Sequence, residues 1–173
     1  MLTQADIATP TVIEGWLRDL GLNPIRRAEG PNNWNIEFTV VGSTTLTMAV
    51  VNPKSIPRAI MVVCGMSPVP GHVTAFLALD EAQRLSFWKD LRTMLSREFI
   101  EYQLEGTAIV ECPRILRVTA VRFDDGLNLD SFARSVSSVC KACNDAVVHF
   151  AERLGDPNAP ASGEFAFKKT VAQ

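Results

Sequence analysis

Three stretches of the chain place apolar residues three and four positions apart, as amphipathic helices do. They span residues 10–20, 81–99 and 129–154. Each follows a residue that can cap a helix, namely Thr9, Asp80 or Asn128. Asp80 and Gln83 also form a capping-box pattern at the start of the second helix. Gly21 and Gly155 end the first and third helices, because glycine readily adopts the left-handed conformation that follows many helices.

Alternating or continuous apolar runs between these helices predict five strands. Residues 34–40 and 46–50 alternate apolar and polar positions on either side of a Gly42-Ser43 turn, which predicts a hairpin. Residues 59–64 are apolar throughout, as in a central strand that is covered on both faces. Two further strands are predicted over residues 100–112 and 115–123.

The elements follow the order α-β-β-β-α-β-β-α, which indicates an α+β fold with helices packed on an antiparallel sheet. Between the third strand and the second helix, the GMSPVPG sequence at residues 65–71 predicts a rigid turn. Residues 73–79 fit either a short strand or the start of a helix. No internal repeat, low-complexity tract or linker divides the sequence, so we expect a single α+β domain over residues 1–155.

Residues 156–173 form a C-terminal tail in this interpretation. The start of the tail is rich in Pro, Ala, Gly and Asn, whereas Glu164–Phe167 alternates as a strand does. We expect the segment containing Phe165 and Phe167 to dock on its own or a neighbouring sheet. A disordered tail is the alternative.

The second helix has a broader apolar surface than the third. Its apolar residues spread over about 180° of a helical wheel, whereas those of the third helix occupy about 120° at most. One sheet face does not easily cover the broader surface. Either the segment 65–79 packs over the additional side, or the helix forms a homodimer interface, since two-fold homodimers are the commonest oligomers. The interface residues under the second hypothesis are Phe87, Trp88, Leu91, Met94 and Leu95.

The composition is that of a globular chain with little net charge. Apolar residues make up 47% and charged residues 21% of the 173 positions, and the formal net charge is −2. A mildly acidic chain has no general attraction for nucleic acid or anionic membranes, so neither partner is expected. The longest apolar run, residues 59–64, is too short to span a bilayer. No export signal is visible in residues 1–10, and we expect a reducing, cytoplasmic compartment.

Few residues point to catalysis. Phosphate-binding glycine loops and the GxSxG, HExxH and EF-hand patterns are absent from the sequence. The two histidines, His72 and His149, are more typical of surface histidines than of general bases. We therefore predict a protein that is not an enzyme and carries no cofactor.

The four cysteines include one CxxC pattern, Cys140-Lys-Ala-Cys143. It lies about three turns inside the third predicted helix, where no helix N-terminus lowers a thiol pKa. A zinc site would need two more ligands, for which Cys64 and Cys112 are candidates. We interpret Cys140 and Cys143 as ordinary buried cysteines and expect no metal; a metal or redox role for this pair is the alternative.

The order and spacing of elements over residues 10–154 resemble the type III secretion chaperone-like superfamily, which includes uncharacterised bacterial and archaeal proteins. The resemblance rests on the capped helix at residues 80–99, the strand at 115–123 and the Asp124-Asp125-Gly126-Leu127 sequence with the helix after it. It implies small, acidic homodimers that bind an extended segment of another protein without hydrolysing nucleotide, with the central helix contributing to dimerisation. The longer tail after Leu154 departs from that pattern, and no catalytic residue is carried over.

Two functions remain open at this point. The first is a non-enzymatic, homodimeric, chaperone-like module that binds an extended segment through a sheet edge or an apolar groove. The second is a small-molecule-binding domain or enzyme whose pocket lies near Cys64, His72 and the 65–71 turn.

Overall fold

The computed structural model describes residues 9–28, 30–42, 44–96, 100–105, 111–155 and 168–169. The described helices are α1 (Pro10–Asp19), α2 (Pro70–Ala78), α3 (Glu81–Leu95) and α4 (Leu129–Leu154). The described strands are β1 (Ile25–Arg27), β2 (Asn32–Val41), β3 (Thr45–Pro53), β4 (Ala59–Ser67), β5 (Glu101–Glu105), β6 (Ile115–Phe123) and β7 (Lys168–Lys169).

The strands form one sheet in the order β1-β2-β3-β4-β6-β5, and β7 pairs with β4 outside this path. The pairs β1–β2, β2–β3 and β3–β4 are antiparallel. The β2–β3 hairpin keeps the inward residues in register, with Phe38 opposite Met48 and Ile36 opposite Val50. The prediction of an α+β fold, with helices packed on an antiparallel sheet, is confirmed.

The order of elements differs from the predicted one at three places. The segment predicted as a turn with an undecided continuation contains α2, whose first residue is Pro70. A proline is tolerated there because the first turn of a helix leaves its N–H groups without intrahelical partners. The short strands β1 and β7 were not predicted either. Helix α3 ends at Leu95, and the predicted extension to Phe99 falls on residues outside the described ranges.

Contacts among Cα atoms divide the chain into two compact units. The first contains the described residues up to Cys64 together with Thr119–Cys140, and the second contains Gly65–Val118 together with the described residues from Lys141 onward. The prediction of one domain over residues 1–155 with a tail at 156–173 stays a prediction.

The first unit is built around the hairpin and α1. Thr9 caps α1 by accepting a hydrogen bond from the Val12 backbone N–H, as its sequence position predicts. Helix α1 contacts β2 and buries Ile13 and Leu17 completely. The Trp16 ring lies 5.6 Å from that of Phe132. Apolar side chains at helical spacing on α1 therefore close one side of this unit.

A polar clamp in the same unit holds the connection between β3 and β4. The buried Asn52 Nδ2 donates hydrogen bonds to the Pro57 and Ala59 carbonyls, both at 2.7 Å. Asn52 Oδ1 accepts a hydrogen bond from Asn33 Nδ2 at 2.7 Å. Because a buried carbonyl without a partner is costly, this one side chain stabilises the whole turn.

The second unit has an aromatic centre. The Phe87 ring of α3 lies 5.3 Å from Phe76 of α2, 4.7 Å from His149 and 5.1 Å from Phe150 of α4, the last in an edge-to-face arrangement. Such edge-to-face aromatic pairs add to the stabilisation from area burial. The cluster fixes α2, α3 and the end of α4 against one another, and thereby positions the cleft beside α2.

Candidate functional site

An open cleft of about 400 Å³ lies beside α2. We call it the α2 cleft. Its described lining residues are Pro68, Val73, Leu77, Glu111, Cys112, Pro113 and Arg114. Apolar side chains predominate in this set, and both charged side chains are exposed. A concave, mainly apolar surface of this kind suits an apolar ligand group.

Two walls form the cleft. On one wall, Val73 and Leu77 lie four residues apart on α2, so they project from the same face of the helix. Leu77 is 52% exposed, which is high for a large apolar side chain. The other wall is the segment before β6, and the Arg114 backbone N–H ties it to the end of β5 by donating to the Glu105 carbonyl at 2.7 Å.

The charged groups of the cleft form an exposed ion pair, and its thiol is buried. Arg114 Nη2 lies 3.9 Å from Glu111 Oε2, and both side chains are exposed to water, so this ion pair contributes little to stability. Cys112 is buried, and burial raises the pKa of its thiol to about 12. The thiol therefore stays protonated at neutral pH, whereas a nucleophilic cysteine acts as the thiolate.

A short strand of the chain itself, β7, pairs with β4 next to the cleft. The backbone of β7 pairs antiparallel with the end of β4, with Met66 opposite Lys169 and Ser67 opposite Lys168. The register of β3 on β4 ends at Cys64, two residues earlier. Pro68, which lines the cleft, is the next residue of the chain after β4. The end of β4 is thus able to hold an extended segment beside the cleft.

A second cavity, of about 510 Å³, lies at the start of α3. Its polar groups bond to one another. Asp80 and Gln83 form the capping box that the sequence predicts, with each side chain accepting from the other's backbone N–H. Arg153 donates to Ser86 Oγ at 2.7 Å and lies 3.1 Å from Asp90 Oδ2. These bonds account for the local structure and indicate no ligand chemistry.

The residues predicted to form a homodimer interface lie on α3. Phe87, Trp88, Leu91 and Leu95 are buried within this chain, and Met94 is half-buried. The contact of Phe76 with Phe87 agrees with the alternative explanation, in which the segment 65–79 packs over the broad face of the helix. The interface stays a prediction. It was inferred from an apolar face with nothing to cover it, and at Phe87 this face is contacted by Phe76 of the same chain.

The prediction that both histidines lie at the surface is wrong for His72. This side chain is completely buried, its Nε2 lies 3.2 Å from the Gly155 carbonyl, and its ring lies 5.7 Å from that of Phe150. His149 is half-buried, with Nε2 3.3 Å from the Phe87 carbonyl. The sequence did not reveal the burial of His72, because that burial depends on α2.

Both histidines make stability sensitive to acid. Burial lowers the pKa of His72, and a hydrogen bond to Gly155 opposes this. Burial is also the main cause that lowers the pKa of His149; Arg153 adds to it, and the Phe87 carbonyl, Asp90 and Glu152 oppose it. A lowered pKa in the folded state means that the unfolded chain binds more protons below pH about 6.5.

We therefore expect the free energy of unfolding to be constant above pH about 7.5 and to fall as the pH decreases through 6.5, by at most about 1.4 kcal/mol per pH unit for each histidine. Urea denaturation between pH 7.5 and 5.5 measures this, with His149→Gln as the variant whose slope should be smaller. Asp124, whose pKa is lowered by hydrogen bonding to Arg58, titrates below this range and does not interfere. A stability that is unchanged over the range would contradict the expectation.

The cysteines lie in different surroundings. Cys143 is buried and Cys140 half-buried, both in the interior of α4, as the sequence predicts. All four are in the thiol form. Within the described ranges, no group of three or more histidine, cysteine, aspartate or glutamate side chains could hold a metal ion.

The alternative pocket falls only partly where the sequence placed it. The 65–71 segment contributes Pro68 to the α2 cleft, but the buried Cys64 and His72 are not among the described lining residues. Sequence reasoning missed Leu77 and Cys112 as cleft residues. Only a helical assignment for residues 70–78 would have indicated that Val73 and Leu77 share a face.

No helix in the part of the chain that the structure describes has the length and apolar character needed to cross a membrane.

Comparison with known proteins gives a fold and a family. No curated protein matches the chain. The crystal structure of an uncharacterized protein from Methanothermobacter thermautotrophicus is similar, with a TM-score of 0.74 and 23% sequence identity over 84% of this chain and 98% of that chain. At this identity the likeness shows the fold. The model of the uncharacterized conserved protein family DUF2299 matches residues 10–150, which include every described lining residue of the α2 cleft. The chain belongs to the DUF2299 family.

Proposed function

We propose that this chain is a non-enzymatic protein-binding module that holds an extended segment of a partner protein against the end of β4, with an apolar side chain of that segment in the α2 cleft. The observation that carries this proposal is the position of an apolar cleft immediately after a strand end that already pairs with an added strand. Strand addition supplies backbone hydrogen bonds, and a neighbouring pocket selects the side chain.

The expected affinity is modest. The described pairing on the end of β4 covers two residues, Met66 and Ser67, so few backbone hydrogen bonds are formed. Burying one large apolar side chain contributes about 1.5–3 kcal/mol. Specificity should therefore depend on the side chain that enters the cleft, and affinities weaker than micromolar are expected, because a micromolar Kd requires about 8 kcal/mol.

The chemistry of the cleft supports binding without catalysis. The Cys112 thiol has a pKa of about 12, and the charged pair Glu111–Arg114 lies at the exposed rim. The resemblance to type III secretion chaperones supports the same function, because proteins of that superfamily bind extended segments as homodimers. Neither the match to the DUF2299 family nor the match to the archaeal crystal structure supports that resemblance. The homodimer, the chaperone-like role and a cytoplasmic location are parts of the proposal.

A peptide library displayed on phage and selected on the immobilised full-length protein tests the proposal. We expect enrichment of peptides with apolar residues at alternate positions. Leu77→Asp should weaken the selected peptides about tenfold or more, because a carboxylate would then be covered by an apolar side chain. Leu85→Asp is the matched control, since Leu85 lies outside the described lining of the cleft and is also 52% exposed.

Two results would contradict the proposal. Selection that enriches no peptide family would show that the surface holds no extended segment. Equal loss of binding in Leu77→Asp and Leu85→Asp would show that binding depends on some other part of the protein.

A further inference from the structure

In the first unit, the face of the sheet opposite α1 carries a continuous apolar surface. We propose that a second copy of the chain packs face to face on this surface, so that the homodimer forms by sheet-on-sheet packing and not through α3. The surface, which we call the outer patch, consists of outward side chains on three neighbouring strands: Ala49, Val51, Met61, Val63 and Val121. This inference rests on the homodimeric part of the proposed function and names the surface that it uses.

Alternation along the strands separates the two faces of the sheet. Residues that lie opposite each other in an antiparallel pair point to the same face. Arg26 lies opposite Ile36, and its Nη2 atom lies 2.8 Å from Glu14 Oε1 of α1, so Ile36 is on the face that meets this helix. Ile36 pairs with Val50, and Val50 pairs with Val62, and all three are buried. Their neighbours along each strand therefore point outward.

The outward residues of β3 and β4 lie side by side. Ala49 is opposite Val63, and Val51 is opposite Met61. All four are half-buried, whereas the residues between them on each strand are fully buried. These four side chains form one apolar surface without a polar interruption.

Strand β6 extends this surface on the other side of β4. The Asp124 backbone N–H donates to the Arg58 carbonyl at 3.1 Å, which fixes the register at one end of the two strands. Three steps inward along both antiparallel strands, Val121 lies beside Met61. Val121 is half-buried, and Phe123, which points to the same face, is exposed. The outer patch thus continues across three strands.

The chemistry of the outer patch requires an occupant that packs by side chains. On an antiparallel sheet with one face in water, outward positions are usually polar, and β2 follows this rule with Asn35, Glu37 and Thr39. The outer patch breaks the rule, because it contains no polar side chain. Both β3 and β4 lie between two paired neighbours, so neither strand has a free edge for an extended segment. A contiguous apolar surface of this kind marks a protein interface.

The area and charge of this face fit a second copy. From the usual strand spacing and rise, the four strands β2, β3, β4 and β6 of this unit present a face of about 19 Å by about 25 Å, or about 500 Å². Two copies would together bury about 1,000 Å², the least that a specific interface needs. Alanine and valine side chains let two sheets approach to about 10 Å. The nearby Arg27–Glu37 ion pair, at 2.7 Å, balances its own charge, so two copies meet without repulsion.

Sedimentation equilibrium of the full-length protein tests the inference. We expect a concentration-dependent dimer for the wild type. Strand β4 is the middle strand of the outer patch, so a two-fold axis there brings Met61 close to its own counterpart. Met61→Lys and Met61→Glu should each weaken the dimer about a hundredfold, because like charges then face each other. An equimolar mixture of the two variants should restore it. Val148→Glu, on an exposed position of α4, is the control and should match the wild type.

A milder variant covers the case in which a charge on the strand prevents folding. Val51→Thr keeps the side-chain shape and the preference for a strand, and it should weaken the dimer about tenfold by placing two hydroxyl groups in an apolar contact. Thermal unfolding followed by circular dichroism checks that each variant is folded at the temperature of the sedimentation experiment.

The other outcomes separate this inference from the proposed function. A wild type that stays monomeric at every accessible concentration would overturn the sheet-on-sheet dimer, and display-selected peptides that bind this monomer would leave segment binding intact. A dimer that resists Met61→Lys and Val51→Thr but dissociates in Met94→Glu would assign the interface to α3 and also overturn the inference. A dimer that Met61→Lys dissociates, in a protein for which display selects no peptide, would support the inference and overturn segment binding.

Discussion

Replacing Phe87 with alanine is expected to lower the free energy of unfolding by about 3–5 kcal/mol. The side chain is completely buried, and its ring contacts the rings of Phe76, His149 and Phe150. Truncation removes apolar burial and leaves a cavity at the point where α2, α3 and α4 meet. Rigid surroundings collapse only partly into such a cavity, which is why the cost exceeds that of transferring the removed atoms to water.

Urea denaturation at pH 7.5 measures this effect, with Leu85→Ala as the control on the same helix. Leu85 is exposed, so its replacement should change the free energy of unfolding by no more than about 0.5 kcal/mol. A cost below about 1 kcal/mol for Phe87→Ala would show that the aromatic cluster does not hold the three helices together. The same pair of variants tests the α3 interface hypothesis. A large loss of stability in Phe87→Ala would show that Phe87 packs inside one chain, and a side chain that is buried there does not contact a second copy.

Asn52→Asp is expected to lower the free energy of unfolding by about 2–4 kcal/mol at pH 7. The amide nitrogen of Asn52 donates to two carbonyl oxygens at 2.7 Å, those of Pro57 and Ala59. A carboxylate has the same shape but has no donor, so it would face both carbonyls with a like charge in a buried position. Protonation restores one donor, and the penalty should therefore shrink as the pH decreases from 7 towards 4.5.

Two further variants separate the charge from the lost hydrogen bonds. Asn52→Ala removes the donor without adding charge and should cost less than Asn52→Asp at pH 7. Asn23→Asp is the matched control, because Asn23 is exposed and is not among the hydrogen-bond partners of Asn52. Chemical denaturation of the three variants at both pH values checks the order. Equal costs for Asn52→Asp and Asn52→Ala at pH 7 would contradict the role assigned to the carbonyls.

Several features of the fold were predictable from the sequence. Thr9 and Asp80 cap α1 and α3 in the structure as their positions indicate, since a cap depends on residues three positions away. The β2–β3 hairpin follows from alternating side chains on either side of a short turn. The interior position of Cys140 and Cys143 on α4 follows from the length of that helix. In each case the cause lies within a few residues along the chain.

The candidate site was predictable only in part. The hypothesis that an extended segment binds at a sheet edge or apolar groove came from the sequence, whereas the predicted strand-like stretch at residues 164–167 lies outside the described residues. The residues of the α2 cleft did not, because Cys112 and Pro113 are brought to α2 by pairing and packing of distant segments. The His72 environment was missed for the same reason, since its partner Gly155 is 83 residues away.

The sequence by itself determined the α+β class, the start of each long helix, the central hairpin and the lack of known catalytic motifs. Tertiary structure alone decided whether residues 65–79 form a turn, strand or helix, because the Pro-Val-Pro segment is compatible with either a turn or a helix start. It also decided that Phe76 packs against Phe87 of α3 and that β7 pairs with β4. Local propensity acts over about one helical turn, whereas these contacts join residues that only the folded chain brings together.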